Sequence, residues 1–230
     1  MSSALPELIE RYEKLSSAVV CDILDKMGYS NQALNSAIRP LALDMVIAGP
    51  AFTLTEKGDP SIKTEVPKGP WYRQVTPGCV VVMAMHGHRV SGPWGENTGL
   101  TVQMHGARGF VTDGGTRDAK PLVDLGMPTF CRFVTPVICS GRFSSVMSLD
   151  PVELDGQVEE KVTVAPGDFV MGDGDGVVIV PQDLIEEVLE AGEKLEEIEL
   201  KLRAGIRLGE DRAAVYKRHP KFAHVRTPEK

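Results

Sequence analysis

Residues 113 to 118 read Asp-Gly-Gly-Thr-Arg-Asp, and Ala-Lys-Pro follows. A permanent cation, Arg117, stands directly beside an acid, Asp118, after two glycines. The plain explanation is a loop that leads into a helix. Pro121 has no amide hydrogen and is tolerated only in a helix's first turn. A helix over roughly 119 to 125 would follow, with Asp118 near its N-cap and Arg117 solvated. The chemical explanation uses the same residues. Gly114 and Gly115, between a strand and a helix, let backbone N–H groups approach an anion, which a helix start favours. The Arg117 guanidinium is a planar fork that suits a carboxylate or a forming enolate. A carboxylate such as Asp118 can hold a hard cation such as Mg²⁺, which takes few protein ligands and keeps its waters. A second stretch, Pro93-Trp94-Gly95-Glu96-Asn97-Thr98-Gly99, carries another acid, Glu96, with twenty residues between it and Arg117. Alone it reads as a turn glutamate. Arg117 and Asp118 together suit a small 2-oxo acid, with metal and arginine on its carboxylate and carbonyl, and the pairing with them is what lifts Glu96 above a turn residue.

Other residues compete for attention. His86 and His88 follow an apolar run, and side chains two apart in a strand face the same way. With His105 they could ligate a transition metal, as in a metallohydrolase. No third histidine or carboxylate stands at a telling spacing, so one imidazole near a pocket is the better expectation. Asp173 and Asp175 among glycines have the look of a calcium loop, but the bidentate glutamate of that loop is missing. A turn is expected there. Lys120 is close to the motif, but nothing marks it as a desolvated nucleophile.

These residues need elements to position them. Pro6 opens a polar helix, and Ser16 or Ser17 can cap a second one that Gly28 ends, with Val19, Val20, Ile23, Leu24 and Met27 on one face. From Ile38 onward, short apolar runs split by Gly and Pro read as strands. They include residues 46–54, 78–85, 107–115 and 127–134. Between them, residues 96–108 and 117–126 read as short helices. Residues 156–181 read as strands with tight turns at 166–168 and 173–176. A last helix is predicted from an Asp183 N-cap with Glu186 completing a capping box. Its stripe of Leu184, Val188, Ala191, Leu195, Ile198 and Leu202 runs to a stop at Gly205. That stripe must be buried on the body or on a neighbour, and oligomer contacts are expected. The class is α/β: one catalytic domain over 1–205 that includes a C-terminal helical arm, and a tail over 206–230.

Bulk properties exclude some functions. The 230 residues include 25 Lys and Arg against 32 Asp and Glu, a net charge of −7, which argues against a general nucleic-acid binder. The basic run from Lys217 to Arg226 is too short to reverse that. Cys21, Cys79, Cys131 and Cys139 form no CxxC pair and read as free thiols of a reducing cytoplasm. The N-terminus has no signal-peptide pattern, and no apolar run approaches the ~18 residues of a membrane span.

With these residues in view, the chain resembles the class II pyruvate aldolase family. The spacing Gly95-Glu96, twenty residues, Arg117-Asp118 is the most specific point of likeness. Residues 17–28 followed by 37–41 and 47–54, and later 165–181, resemble further blocks of the family in the same order, so the likeness spans about 16 to 205. The family contains 4-hydroxy-4-methyl-2-oxoglutarate and 4-carboxy-4-hydroxy-2-oxoadipate aldolases, many of which decarboxylate oxaloacetate, and the regulator of ribonuclease activity A. The resemblance implies a β/β/α sandwich like the phosphohistidine swivelling domain, assembled as homotrimers or homohexamers with sites between subunits. It implies that Asp118 binds Mg²⁺ or Mn²⁺ directly, that Glu96 holds metal-bound water, and that Arg117 binds the pyruvyl oxygen. Backbone amides around Asn97 and Thr98, just after Gly95, would cradle the substrate carboxylate. A glutamate of the last helix, Glu196 with Glu197 and Glu199 as rivals, would reach a neighbour's metal waters. Asn97-Thr98 departs from the Leu-Leu usual in the family and points to a different distal group on the substrate. The expected activity is cleavage of a 4-hydroxy-2-oxo acid to pyruvate, with no nucleic-acid or membrane partner. The alternatives are a non-catalytic ribonuclease regulator, against which Asp118 argues, or different metal chemistry on a 2-oxo or hydroxy acid.

Overall fold

The structure, a computed structural model, describes residues 4–57 and 69–227. Helices α1 (Ala4–Tyr12) and α2 (Ser17–Met27) precede strands β1 (Arg39–Pro40), β2 (Ile47–Glu56) and β3 (Val80–Met83). Then come α3 (Glu96–Met104), β4 (Gly109–Thr112), β5 (Gly115–Thr116) and α4 (Ala119–Asp124). Six strands follow at β6 (Thr129–Cys131), β7 (Phe133–Val134), β8 (Ser145–Met147), β9 (Val152–Asp155), β10 (Lys161–Val164) and β11 (Phe169–Asp173). Strand β12 (Gly176–Val180) and helices α5 (Ile185–Arg207) and α6 (Arg212–Arg218) complete the chain. The α/β class and the C-terminal helix expected from the sequence are both present.

The main sheet runs β1-β6-β4-β3-β2-β11-β12, with β8 also on β2. Its centre, β2-β3-β4-β6, is parallel, and β1, β8, β11 and β12 add antiparallel neighbours. Strand alternation divides the side chains between two faces. Val80, Val82, Val111, Val170 and Ile179 point to one face, where Val152, Leu154, Val162 and Val164 of the β9–β10 hairpin cover them. Val81, Met83 and Phe110 point to the other, under Val102 of α3 and Leu122 of α4. At the β11–β12 end the same helical layer continues with α1, α2 and α5 over Phe169, Met171, Val178 and Val180. The result is two β layers and one α layer. Each fully buried Val or Phe of these faces contributes roughly 2 kcal/mol through area removed from water.

Local chemistry explains the helix ends. The Ser16 hydroxyl accepts from Val19 N, and Gly28 closes α2 in the left-handed region at φ 91°. The start of α5 differs from the expected capping box. Gln182–Leu184 form a 3₁₀ turn, Leu184 stands at the N-cap without a side-chain bond, and Asp183 does not cap the helix. Pro181 accepts from Leu184 N, and Asp168 reaches across to accept from Gln182 N at 3.1 Å. That distant carboxylate serves the turn in place of the local one. The helix also passes Gly205 and ends at Arg207, and a Cβ at Gly205 would lie 3.0 Å from Val215. The glycine makes room for α6 and does not stop the helix.

Much of the α5 stripe is buried within the chain itself: Val188, Ala191 and Leu195 pack with α1 and α2, the first of the two places where the stripe could be covered, while Ile198 stays half-buried. The segment after 205 folds back on α5: Val215 and Val225 are buried, and His224 Nε2 lies 3.0 Å from the Ala191 carbonyl. All four cysteines are free thiols, and among the described residues no helix is long and apolar enough to cross a membrane.

The turn between β11 and β12 is a structural tie. Asp173 accepts from Ser17 N at 2.8 Å, Ser17 Oγ at 2.7 Å and Asp175 N at 2.9 Å. Three donors already occupy the carboxylate that the calcium reading would need. Asp173→Ala should therefore lower unfolding free energy by about 2 kcal/mol, the scale of charge-assisted hydrogen bonds left without their acceptor. Urea titration checks this. Added Ca²⁺ should shift the thermal midpoint of the unaltered protein and of Asp173→Ala equally.

Candidate active site

Two segments distant in sequence meet at the end of β4. After Thr112 the chain turns through Asp113-Gly114 into β5, which lies beside β7, and then reaches Arg117, Asp118 and α4. The loop before α3 runs alongside. Arg117 N donates to Trp94 O at 2.7 Å, Thr116 Oγ1 donates to the same oxygen at 3.0 Å, and Gly92 N donates to Val137 O at 3.1 Å. Trp94 is fully buried and stacks on Phe110 with centroids 3.8 Å apart and planes 4° from parallel. This pairing turns the acid, twenty residues, Arg-Asp spacing into contact.

Asp118 lies at the junction in the left-handed region, φ 52° and ψ 43°. For a residue with a side chain this costs about 1 kcal/mol. Its carboxylate does not cap α4, contrary to the plain reading of the motif. It turns instead toward α3, where Oδ2 accepts from Glu96 N at 3.1 Å and lies 3.8 Å from Arg117 Nη2. Gly95 makes this approach possible, since a Cβ there would sit 2.5 Å from Asp118 Oδ2. The other carboxylate oxygen has no hydrogen bond among the described residues. A partly exposed carboxylate with one committed and one open oxygen suits a hydrated hard cation.

Gly95, Asn97, Thr98, Arg117 and Asp118 line one cavity of about 160 Å³. The backbone N–H groups of Asn97 and Thr98, in the first turn of α3, have no acceptor among the described residues. Unpaired amides and the positive helix end favour an anion. Five of the expected site residues are thus brought together. Glu96 starts the same helix with an exposed side chain that does not line the cavity. Glu196 is elsewhere, on α5, paired with Arg203 at 3.2 Å, while Glu199 pairs with Arg203 at 2.8 Å and Lys221 at 2.6 Å. Glu197 is exposed.

Several expectations need correction. Gly114 and Gly115 do not form an anion cradle: added Cβ atoms would lie 2.6 Å from Met85 and 2.5 Å from Phe133, and Gly114 N donates to Thr112 Oγ1. They permit close packing. Residues 86–87 form a turn beyond β3, so the strand argument for a His86–His88 pair fails. His86 Nε2 lies 2.7 Å from Thr55 Oγ1, His88 Nε2 lies 2.7 Å from Ser91 Oγ, and His105 Nδ1 lies 2.9 Å from Thr101 O. Among the described residues no three His, Cys, Asp or Glu side chains gather to hold a metal. Lys120 is exposed and pairs with Asp124.

One feature of the site has no signal in the sequence. Asp155 of β9 accepts from Arg89 at 2.9 Å, Lys161 at 2.7 Å and Arg132. Arg89 and Arg132 also donate to the main-chain oxygen of Asp113, at 3.0 and 3.2 Å, and so clamp the first residue of the motif. The Asp113 side chain is fully buried. Its Oδ1 accepts from Met85 N at 2.8 Å and its Oδ2 has no partner among the described residues. Burial pushes this carboxyl above its ordinary 3.8, and nearby Asp155 adds to the rise. For Asp155 burial also pushes upward, but the Lys161 hydrogen bond and the charges of Lys161, Arg132 and Arg89 outweigh it and leave the carboxyl below 3.8.

The chain belongs to the RraA-like family. The profile of that family, described as Aldolase/RraA, matches residues 17–179. The protein named "Putative 4-hydroxy-4-methyl-2-oxoglutarate aldolase" from Halalkalibacterium halodurans is 30% identical over 196 residues, covering 84% of this chain and 86% of that protein. "Protein DlpA" of Legionella pneumophila is 28% identical over 191 residues, 82% of this chain, and the match spans only 30% of the length of that relative. Among solved structures, Streptomyces coelicolor RraAS2, described as an unusual member of the RNase ES inhibitor RraA family, superposes with a TM-score of 0.71. It is 28% identical, and the match covers 86% of this chain and 97% of that one. The fold expected from the sequence is the fold of this family, which holds both aldolases and ribonuclease regulators.

The Asp155 clamp makes a stability prediction. Below 3.8 the unfolded chain takes up the Asp155 proton before the folded one does, so this contribution is full above 3.8 and is lost as pH falls. Asp113 acts oppositely, and its contribution declines as pH rises above 3.8. Asp155→Asn should cost about 2 kcal/mol near neutral pH and flatten the acid side of the stability profile. Urea midpoints measured from about pH 3 to pH 7 test both statements. An unchanged acid limb would remove Asp155 as its cause.

Proposed function

We propose that the protein is a divalent-metal-dependent lyase that cleaves a 4-hydroxy-2-oxo acid to pyruvate and a second oxo compound, and that it also decarboxylates oxaloacetate. The observation that carries this reading is the meeting of the Asn97 and Thr98 amides, the Arg117 guanidinium and the Asp118 carboxylate around one small cavity. Amides and cation would hold the carboxylate and carbonyl of a 2-oxo acid. Asp118, with Glu96 acting through water, would hold Mg²⁺ or Mn²⁺, which supplies Lewis acidity to the bound 2-oxo acid.

The residues divide the work by position. The two amides fix the carboxylate at the start of α3. The Arg117 fork would face the C2 oxygen, where negative charge grows, and stabilising that charge is the chief demand of an enolate-forming reaction. Glu96, through a water molecule, accepts the proton of the C4 hydroxyl. The C3–C4 bond then breaks with its electrons moving to C3, C4 becomes a carbonyl carbon, and a proton delivered to C3 releases pyruvate. Decarboxylation of oxaloacetate leaves the same enolate, with carbon dioxide as the departing group. A homotrimer or homohexamer belongs to this proposal, since a neighbour's α5 glutamate, Glu196 first, would have to exchange its Arg203 pairing for the metal's waters.

Coupled detection of pyruvate from oxaloacetate and from 4-hydroxy-4-methyl-2-oxoglutarate, with Mg²⁺ or Mn²⁺ and then with EDTA, tests the proposal. Asp118→Ala should lower kcat/KM about 100-fold or more while the circular dichroism spectrum is retained, and Arg117→Lys should cost about 100-fold. Full metal-dependent turnover in Asp118→Ala would sink the site assignment. Silence on both acids with no metal binding would favour the non-catalytic regulator.

A further inference from the structure

A second cavity, about 500 Å³, opens from the first across Asn97, Thr98 and Cys139, which line both. Three of its lining residues are aromatic. Trp71 and Tyr72, on the 3₁₀ turn Trp71–Gln74, meet edge to face with centroids 6.2 Å apart and planes at 76°. Phe143 faces the same space. Two histidines brace these rings, His105 against Tyr72 at 6.0 Å and His88 against Phe143 at 5.4 Å, and neither lines the cavity. The polar groups at the wall are the Asn97 side chain, the Cys139 thiol and hydroxyls such as those of Thr101 and Ser144. Among the described residues that line it there is no Lys, Arg or His.

We propose that this cavity is the distal subsite, and that the substrate carries an aromatic group on C4 where a second carboxylate would otherwise be. The inference rests on the lyase reading for its use of the adjoining 2-oxo acid site. A carboxylate placed here would give up part of its hydration with no Lys, Arg or His among the described lining residues to pair with, which is costly. A flat ring gains apolar contact and edge-to-face geometry from Trp71, Tyr72 and Phe143. Hydroxyls at the wall admit a ring that bears a phenolic group. Asn97 and Thr98 then have two duties: their amides face the head group, and their side chains stand where head and distal spaces join.

Binding separates this idea from the catalytic one. 2-Oxo-4-phenylbutanoate and 2-oxoglutarate share a 2-oxo acid head, differ in the distal group, and lack the C4 hydroxyl needed for cleavage. Titration calorimetry on the unaltered protein with Mg²⁺ should give the phenyl acid a Kd at least about tenfold lower. Trp71→Ala should shrink that ratio to near unity, and Trp71→Phe should restore most of it. In turnover, 4-hydroxy-2-oxo-4-phenylbutanoate should exceed 4-carboxy-4-hydroxy-2-oxoadipate in kcat/KM by a similar factor. Equal or tighter binding of 2-oxoglutarate overturns the proposal, with or without the variants. So does an unchanged ratio in a folded Trp71→Ala protein. A phenyl preference without pyruvate release from any 2-oxo acid, oxaloacetate included, would keep the subsite and reject the lyase reading. Absence of binding by both acids would reject both.

Discussion

The candidate site depends on one backbone contact, the donation from Arg117 N to the Trp94 carbonyl. It aligns the loop before α3 with the segment before α4. Once it is made, Glu96 N falls on Asp118 Oδ2 and Gly95 must be a glycine. Trp94 makes the contact durable because its ring is buried flat against Phe110 of β4. The parallel centre of the sheet thus holds both halves of the site through a single stacked pair.

A conformational cost and an electrostatic clamp act on the same short stretch. Asp118 occupies a backbone region unfavourable to any residue with a side chain, and its carboxylate is thereby turned from α4 toward α3. Three residues earlier, at Gly115, the chain is packed under Phe133; two residues before that, the Asp113 carbonyl is gripped by Arg89 and Arg132, both anchored on Asp155. Strain at one end is held by packing and ion pairs at the other. This is the arrangement expected where a surface carboxylate must keep one direction.

The sequence reading and the structure agree where chemistry is local. The Ser16 cap, the Gly28 stop and the order of short apolar strands depend on residues within a turn of one another, and all are present. They part where a distant group enters. Asp168 displaced Asp183 as the acceptor at the turn before α5, and α6 gave Gly205 a packing role. Gly114 and Gly115 looked like an anion cradle because glycine before a helix often is one; Met85 and Phe133, invisible in that window, explain them instead.

What the sequence determined by itself was the inventory: an acid, an arginine-aspartate pair at a telling interval, an α/β alternation, and likeness to a family that these features carry. Residue type and short-range periodicity are enough for that, since helix and strand patterns repeat within a few positions. The tertiary structure decided which groups meet. It brought the amides of Asn97 and Thr98 to Arg117 and Asp118, kept Glu196 in its own helix's ion pairs, and built Asp113 and Asp155 into one network. It also placed Trp71 and Phe143 across a shared cavity. The reason is physical: contact between remote positions is set by the register of strands and the packing of helices over them, and no local pattern records it.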